Sequence, residues 1–187
     1  MLTNRNLRFA PASRNESIVF GSARPGYRKR QVNKWVEFAQ AHEVQHVCCL
    51  LSASQLEHYD DNLLDMYDKA FGADQTCWAP IEDFQLATPD LLIHKVLPFL
   101  TVAARKQERV VVHCSSGIGR TGHVLAAWLV AERELSDREA IAAVKDTGRN
   151  PYEAVIAAPF KGRSPWKVAS ELHALLDKCR RSRNSPD

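Results

Sequence analysis

The sequence predicts an α/β domain with a central, mainly parallel sheet of four to five strands and helices on both faces. Three observations lead there. Strand-like and helix-like segments alternate from about position 17 to about position 132, and only helical patterns follow. Two strand segments, Val44 to Leu51 and Arg109 to His113, are largely apolar runs, as expected of strands buried on both faces of a parallel sheet. The second of these passes through a glycine-rich turn directly into a helix, and α/β sheets bind ligands beyond the carboxyl ends of their strands.

Each element has its own warrant. Ser17 to Ser22 reads as a short strand closed by a Pro25-Gly26 turn. Val32, Trp35, Val36 and Ala39 recur at helical spacing, predicting a helix from about Arg30 to His42. After the strand at Val44 to Leu51, Ser54 can cap a helix to about Ala70, and Gln75 to Ala79 is the next strand. Pro80 to Pro89 is a loop, with Thr88 a cap for the helix beyond. Leu92, Val96, Phe99 and Ala103 are expected on that helix's inner face, and Pro98 is expected to kink it. After Arg109 to His113, helices are predicted at Arg120 to Glu132, from the Ser136-Glu139 capping box to Gly148, and from Ser164-Pro165 onward. Residues 1–187 are read as one domain, with a core from about 17 to 176 and a frayed tail over 181–187.

The 187 residues are 45% hydrophobic and 25% charged, a globular composition that needs neither disulfides nor metal to fold. Val124 to Ala131, eight residues, is far short of the roughly 18 needed to cross a membrane, and the first residues lack an apolar signal segment. A net charge of +3 is too small for a nucleic-acid-coating chain and suits a small anionic or acidic partner. Basic residues cluster at Arg24 to Arg30 and Lys178 to Arg183, either as solvated surface or to recruit acidic substrates. Five cysteines without a Cys-x-x-Cys pair suggest free thiols in a reducing, cytoplasmic setting. Cys48, Cys49 and Cys77 read as buried packing, although a redox pairing with Cys114 is conceivable.

Three motifs compete. His42-Glu43-Val44-Gln45-His46 matches a zinc-protease pattern, but that chemistry needs one continuous helix and this helix ends near His42. Gly117 to Gly122 matches the dinucleotide G-x-G-x-x-G, but a second helix follows where a strand with a ribose-binding acid is required. The third reading uses the whole segment Val112 to Gly122. Six residues, Ser115, Ser116, Gly117, Ile118, Gly119 and Arg120, can curl with their backbone N–H groups inward, forming an anion nest at a helix N-terminus. Cys114 faces the same dipoles, which favour its thiolate. Arg120 can fork onto two oxygens of a tetrahedral oxyanion. No metal or other cofactor is expected.

His113-Cys114-x5-Arg120-Thr121 resembles the signature loop of the cysteine-dependent protein tyrosine phosphatase superfamily, with Ser116 where the larger enzymes mostly carry Ala. The chain's size and layout are similar to the compact dual-specificity branch, over about Ser17 to Leu176. The resemblance implies a general acid on an upstream loop. Trp78 to Phe84 is similar to that loop, which makes Asp83 the expected acid, with Glu82 and Asp90 as alternates. It further implies that the Thr121 hydroxyl stabilises the departing sulfur and that His113 hydrogen-bonds near the thiolate. A packed strand-end histidine is an equal reading of His113.

The expected reaction is hydrolysis of phosphate monoesters through a phosphocysteine. Phosphotyrosine is the foremost substrate, with phosphoserine and phosphothreonine possible. Lysines that often mark phosphoinositide phosphatases are absent from 115–119, although that activity is retained as an alternative. So is a non-catalytic phosphate-binding module, which would usually lack Cys114, Arg120 or Asp83. Arg149 and Asn150 occupy a segment that relatives place near the site, and the match there is poor.

Overall fold

Strands β1 (Ala10–Pro11), β2 (Val19–Ala23), β3 (Val44–Cys49), β4 (Thr76–Trp78) and β5 (Arg109–Cys114) form one sheet in the order β1-β2-β5-β3-β4. The computed structural model describes residues 2–184. β1 runs antiparallel to β2, and the other pairings are parallel. β5 is therefore central, and its last residue, Cys114, lies in register with Ala23 at the carboxyl end of β2.

Side chains alternate across β5 with the period of a strand. Val110, Val112 and Cys114 enter one core, shared with α6 (Leu97–Lys106), α7 (Gly119–Glu132), α8 (Asp137–Asp146) and α10 (Pro165–Asn184). Val111 enters the other, built with Trp35 of α2 (Lys29–Ala41) and Leu63 and Tyr67 of α4 (Leu63–Phe71). Each such buried aliphatic side chain stabilises the fold by about 1.5–3 kcal/mol relative to exposure. Helix α7 is buried from Gly119 to Ala131. It lies between the sheet, α8 and α10, which explains why Val124 to Ala131 reads as apolar throughout.

Several expectations need correction. The helix expected from Ser54 to Ala70 is two: α3 (Ala53–Leu56), capped by Ser52 rather than Ser54, and α4, capped by Asn62. The Asn62 side chain accepts from the N–H groups of Leu64 and Asp65, restarting the helix after a turn. Thr88 does cap α5 (Pro89–Leu91), but the expected kink at Pro98 takes the form of a π-helical turn, Leu92–Val96, leading into α6. The wider turn shifts the face, so Leu97 and Leu100 are buried while Phe99 is only partly so. Order begins earlier than position 17, with α1 (Asn4–Leu7) and β1. The last helix continues through 181–184 rather than fraying there. Arg183 of that helix donates to the Ala131 carbonyl, while positions 185–187 lie outside the described residues. No described helix is long and apolar enough to cross a membrane.

Candidate active site

The sheet delivers Cys114 to the point where strand becomes helix. Its side chain is buried, and its sulfur accepts the Gly117 N–H at 3.3 Å. Gly117 takes φ +73°, and a Cβ there would stand 2.6 Å from the Ser22 carbonyl, so only glycine lets the loop turn this close to β2. Arg24 N–H donates to the Ser115 carbonyl and Ile118 N–H to Ser116 Oγ, fixing the rest of the turn. Gly119, Arg120 and Thr121 begin α7, whose first amides have no partners within the helix. The Thr121 hydroxyl is buried without a protein partner.

Arg120 is 2% exposed. Nη1 donates to Gln55 Oε1 at 2.7 Å and to the Ile81 carbonyl at 2.9 Å, which orients the guanidinium plane. Nη2 lies 3.0 Å from Asp83 Oδ1 as a close ion pair without hydrogen-bond alignment, so its hydrogen-bonding capacity is unspent. Asp83 is half-exposed, on the loop that follows β4. Its carbonyl accepts from Lys161 Nζ at 2.7 Å, and Phe84 after it adopts φ +59°. Of the three carboxylates considered for this loop, Asp83 is the one that reaches Arg120. Glu82 is exposed, and Asp90, on α5, faces His94 at 3.8 Å.

Supporting residues come from distant segments. His113 is buried against Trp35 and Tyr67, its Nε2 3.1 Å from Tyr67 Oη, and burial pushes its pKa down to about 3. It is a neutral, packed imidazole. His123, one turn into α7, accepts the Ala87 N–H at 3.1 Å and so ties down the far end of the Asp83 loop. Burial pushes its pKa down to about 4. Gln55, Tyr67, His123 and Lys161 carried no local signal beyond Gln55's place in a Ser-x-x-Gln capping box.

Other singled-out residues lie elsewhere or serve the framework. The Arg149 guanidinium donates to the carbonyls of Thr147, Arg8 and Ala10, locking β1 onto the fold, and burial lowers its pKa to about 10. The Asn150 side chain accepts from Tyr152 N–H. His42 ends α2, its Nδ1 against the Phe38 carbonyl, while His46 sits in β3 against Glu108 at 2.7 Å, so the two histidines serve separate contacts. All five cysteines are buried free thiols. Cys48 is in register with Cys77 and shares a hydrogen bond with it, and burial pushes the Cys49 thiol up to about 12. In the basic segment after β2, the Arg24 guanidinium stacks 3.7 Å from the Tyr27 ring.

Comparison with known proteins places this geometry. Among solved structures, Tk-PTP in its active form is 24% identical, covering 88% of this chain and 97% of that one, with a TM-score of 0.64. P. aeruginosa TpbA in complex with pTyr is 16% identical, covering 100% and 96%, at 0.61. PTPMT1 in complex with PI(5)P is 18% identical, covering 90% and 96%, at 0.63. At these identities the likeness establishes the fold. An uncharacterized protein of Methanocaldococcus jannaschii is 40% identical over 53 residues, 28% of this chain, and the match spans only 33% of that relative's length. The family model for the dual specificity phosphatase catalytic domain matches residues 29–154, which include β3 to β5, the Asp83 loop and the loop after Cys114. The chain belongs to the dual-specificity phosphatase catalytic-domain family.

Proposed function

We propose that this protein hydrolyses phosphate monoesters through a phosphocysteine, with phosphotyrosine in proteins the foremost substrate and phosphoserine and phosphothreonine alternatives. The observation that carries the reading is the Cys114 sulfur held by the Gly117 N–H, with Arg120 and Asp83 facing the same loop.

The Cys114 thiolate attacks phosphorus, forming the S–P bond as the ester P–O bond breaks. Loop amides and Arg120 hold the equatorial oxygens, so the protein's work is positioning and charge stabilisation. Asp83 gives its proton to the leaving oxygen. Water then attacks the phosphocysteine and passes a proton to Asp83. The S–P bond breaks, inorganic phosphate departs, and the sulfur leaves as thiolate beside the Thr121 hydroxyl, which has no protein partner to give up. Before any of this, substrate must take Asp83's place on Arg120 Nη2.

A single monophosphate is favoured because the loop's variable positions carry no lysine and Arg149 is committed to framework carbonyls. The test is turnover of para-nitrophenyl phosphate and phosphotyrosine peptides without added metal, blocked by vanadate. Activity that survives Cys114→Ser, or none in the wild type, overturns the proposal. A panel containing phosphoinositides decides between substrate classes.

A further inference from the structure

The geometry points to Glu153 as a specificity-determining group of this site, an internal anion at the helix end of the phosphate cradle that must take up a proton when a dianion binds. The inference rests on the phosphatase reading and deepens it.

Glu153 opens α9 (Glu153–Ala157) and lays its side chain over Gly119. A Cβ on Gly119 would collide with Glu153 Oε2 and would stand 2.6 Å from the Glu153 Cβ and 2.7 Å from its carboxyl carbon. Gly119 is the first residue of α7, so its N–H is among the unpaired amides at that helix's positive end. The resting site therefore holds two carboxylates, Asp83 3.0 Å from Arg120 Nη2 and Glu153 packed over Gly119 at the start of α7. Both stand where an incoming phosphate must find its donors.

Four influences bear on the Glu153 carboxyl. Partial burial and the like charge of Asp83 on the acid loop oppose ionisation, while the Gly119 amide and Arg120 of α7 favour it. The balance lies above the ordinary glutamate value. An arriving dianion adds negative charge and competes for the same amide, moving the balance further toward the acid. Once protonated, Glu153 ceases to repel the dianion and becomes a donor to one of its oxygens. Affinity for dianions therefore falls as pH rises through the Glu153 pKa, by up to tenfold per unit for one linked proton.

Sulfate, a dianion throughout the range from about pH 5 to 8, is the probe, with Cys114→Ser as host so that sulfur chemistry contributes nothing. The expected result is sulfate binding that weakens with pH and takes up a fraction of a proton, read by calorimetry in two buffers of different ionisation enthalpy. Adding Glu153→Gln should tighten sulfate binding about tenfold near pH 7.5 and flatten the pH dependence. Equal slopes and equal affinities with and without Glu153 overturn the inference. So does the absence of proton uptake in Cys114→Ser alone, a result that requires no second variant to fold. If neither protein binds sulfate at all, the cradle itself is refuted, and the phosphatase reading falls with it.

Discussion

At the carboxyl end of α7, the Glu16 carboxylate is buried beside Trp128 and Arg133, and its partners all come from the chain. Its Oε1 accepts from the N–H groups of Ser17, Ile18 and Val19, and its Oε2 from Trp128 Nε1 and Arg133 Nε, each of these two at 3.0 Å. Burial raises its pKa, but the hydrogen bonds from Trp128, Ile18 and Arg133 outweigh that and hold it below the ordinary 4.5. At the amino end of the same helix, Arg120 is equally buried, yet Nη2 lacks an aligned hydrogen bond and Thr121 keeps a free hydroxyl. One helix thus buries charge in two ways. Where every polar direction is filled from within, the group staples the fold. Where directions stay open, as at Arg120 Nη2 and Thr121 Oγ1, the buried group keeps hydrogen-bonding capacity that a ligand could use.

The contrast can be broken from the active end first. Cys114→Ser should reduce phosphatase turnover by roughly 10⁴-fold or more, with an unchanged melting temperature; residual activity above that level would show another nucleophile. Asp83→Ala should cost about 10²- to 10⁴-fold and flatten the basic limb of the rate–pH profile. A surviving bell shape would move the acid to Glu82 or Asp90. Arg120→Lys should cost roughly 10²-fold, because an ammonium cannot hold two oxygens in one plane; near-normal kinetics would refute the cradle. Gln55→Leu should lower kcat by about tenfold with little effect on folding, since it frees the guanidinium to turn.

The structural end should respond in stability alone. Glu16→Gln should destabilise the fold by about 1–3 kcal/mol in urea titration at pH 7 while leaving the rate per folded molecule unchanged. The sign with pH follows from the depressed pKa values. Glu16 stabilises above the unfolded value of 4.5, and that contribution is lost as pH falls through its folded value. The buried histidines act earlier. Unfolded histidine binds a proton near 6.5, whereas His123 and His113 resist until about 4 and about 3, so stability declines as pH falls from 6.5. Urea midpoints at pH 7, 5.5 and 4 should show that decline in both proteins. Glu16→Gln should flatten only the portion below about 4.5; a parallel loss across the whole range would place Glu16 outside this role.

How far the sequence could be read differs element by element. β5 and the turn after it were readable because apolar runs and glycines act locally. The split between α3 and α4 was not, since Ser52, Ser54 and Asn62 are all competent caps and tertiary packing selects among them. The π turn before Pro98 escaped because a ring that cannot donate is compatible with a kink or a widened turn. Arg149 appeared as a candidate ligand of the site, but its guanidinium is taken by the carbonyls of Thr147, of Arg8 just before β1 and of Ala10 in β1, a segment with no strong strand pattern in the sequence.

By itself, the amino-acid sequence determined the alternating α/β layout and the set Cys114, Ser115 to Gly119, Arg120 and Thr121. A loop joining one strand to one helix is specified by its own neighbours. Asp83 was foreshadowed by the resemblance of its loop, but its contact with Arg120 and the other remote groups that meet the site were decided by the folded structure: Gln55 on Arg120, His123 on Ala87, Tyr67 on His113 and Glu153 over Gly119. These contacts join residues 34 to 65 positions apart, and the packing of helices on the sheet, rather than any local propensity, sets such distances.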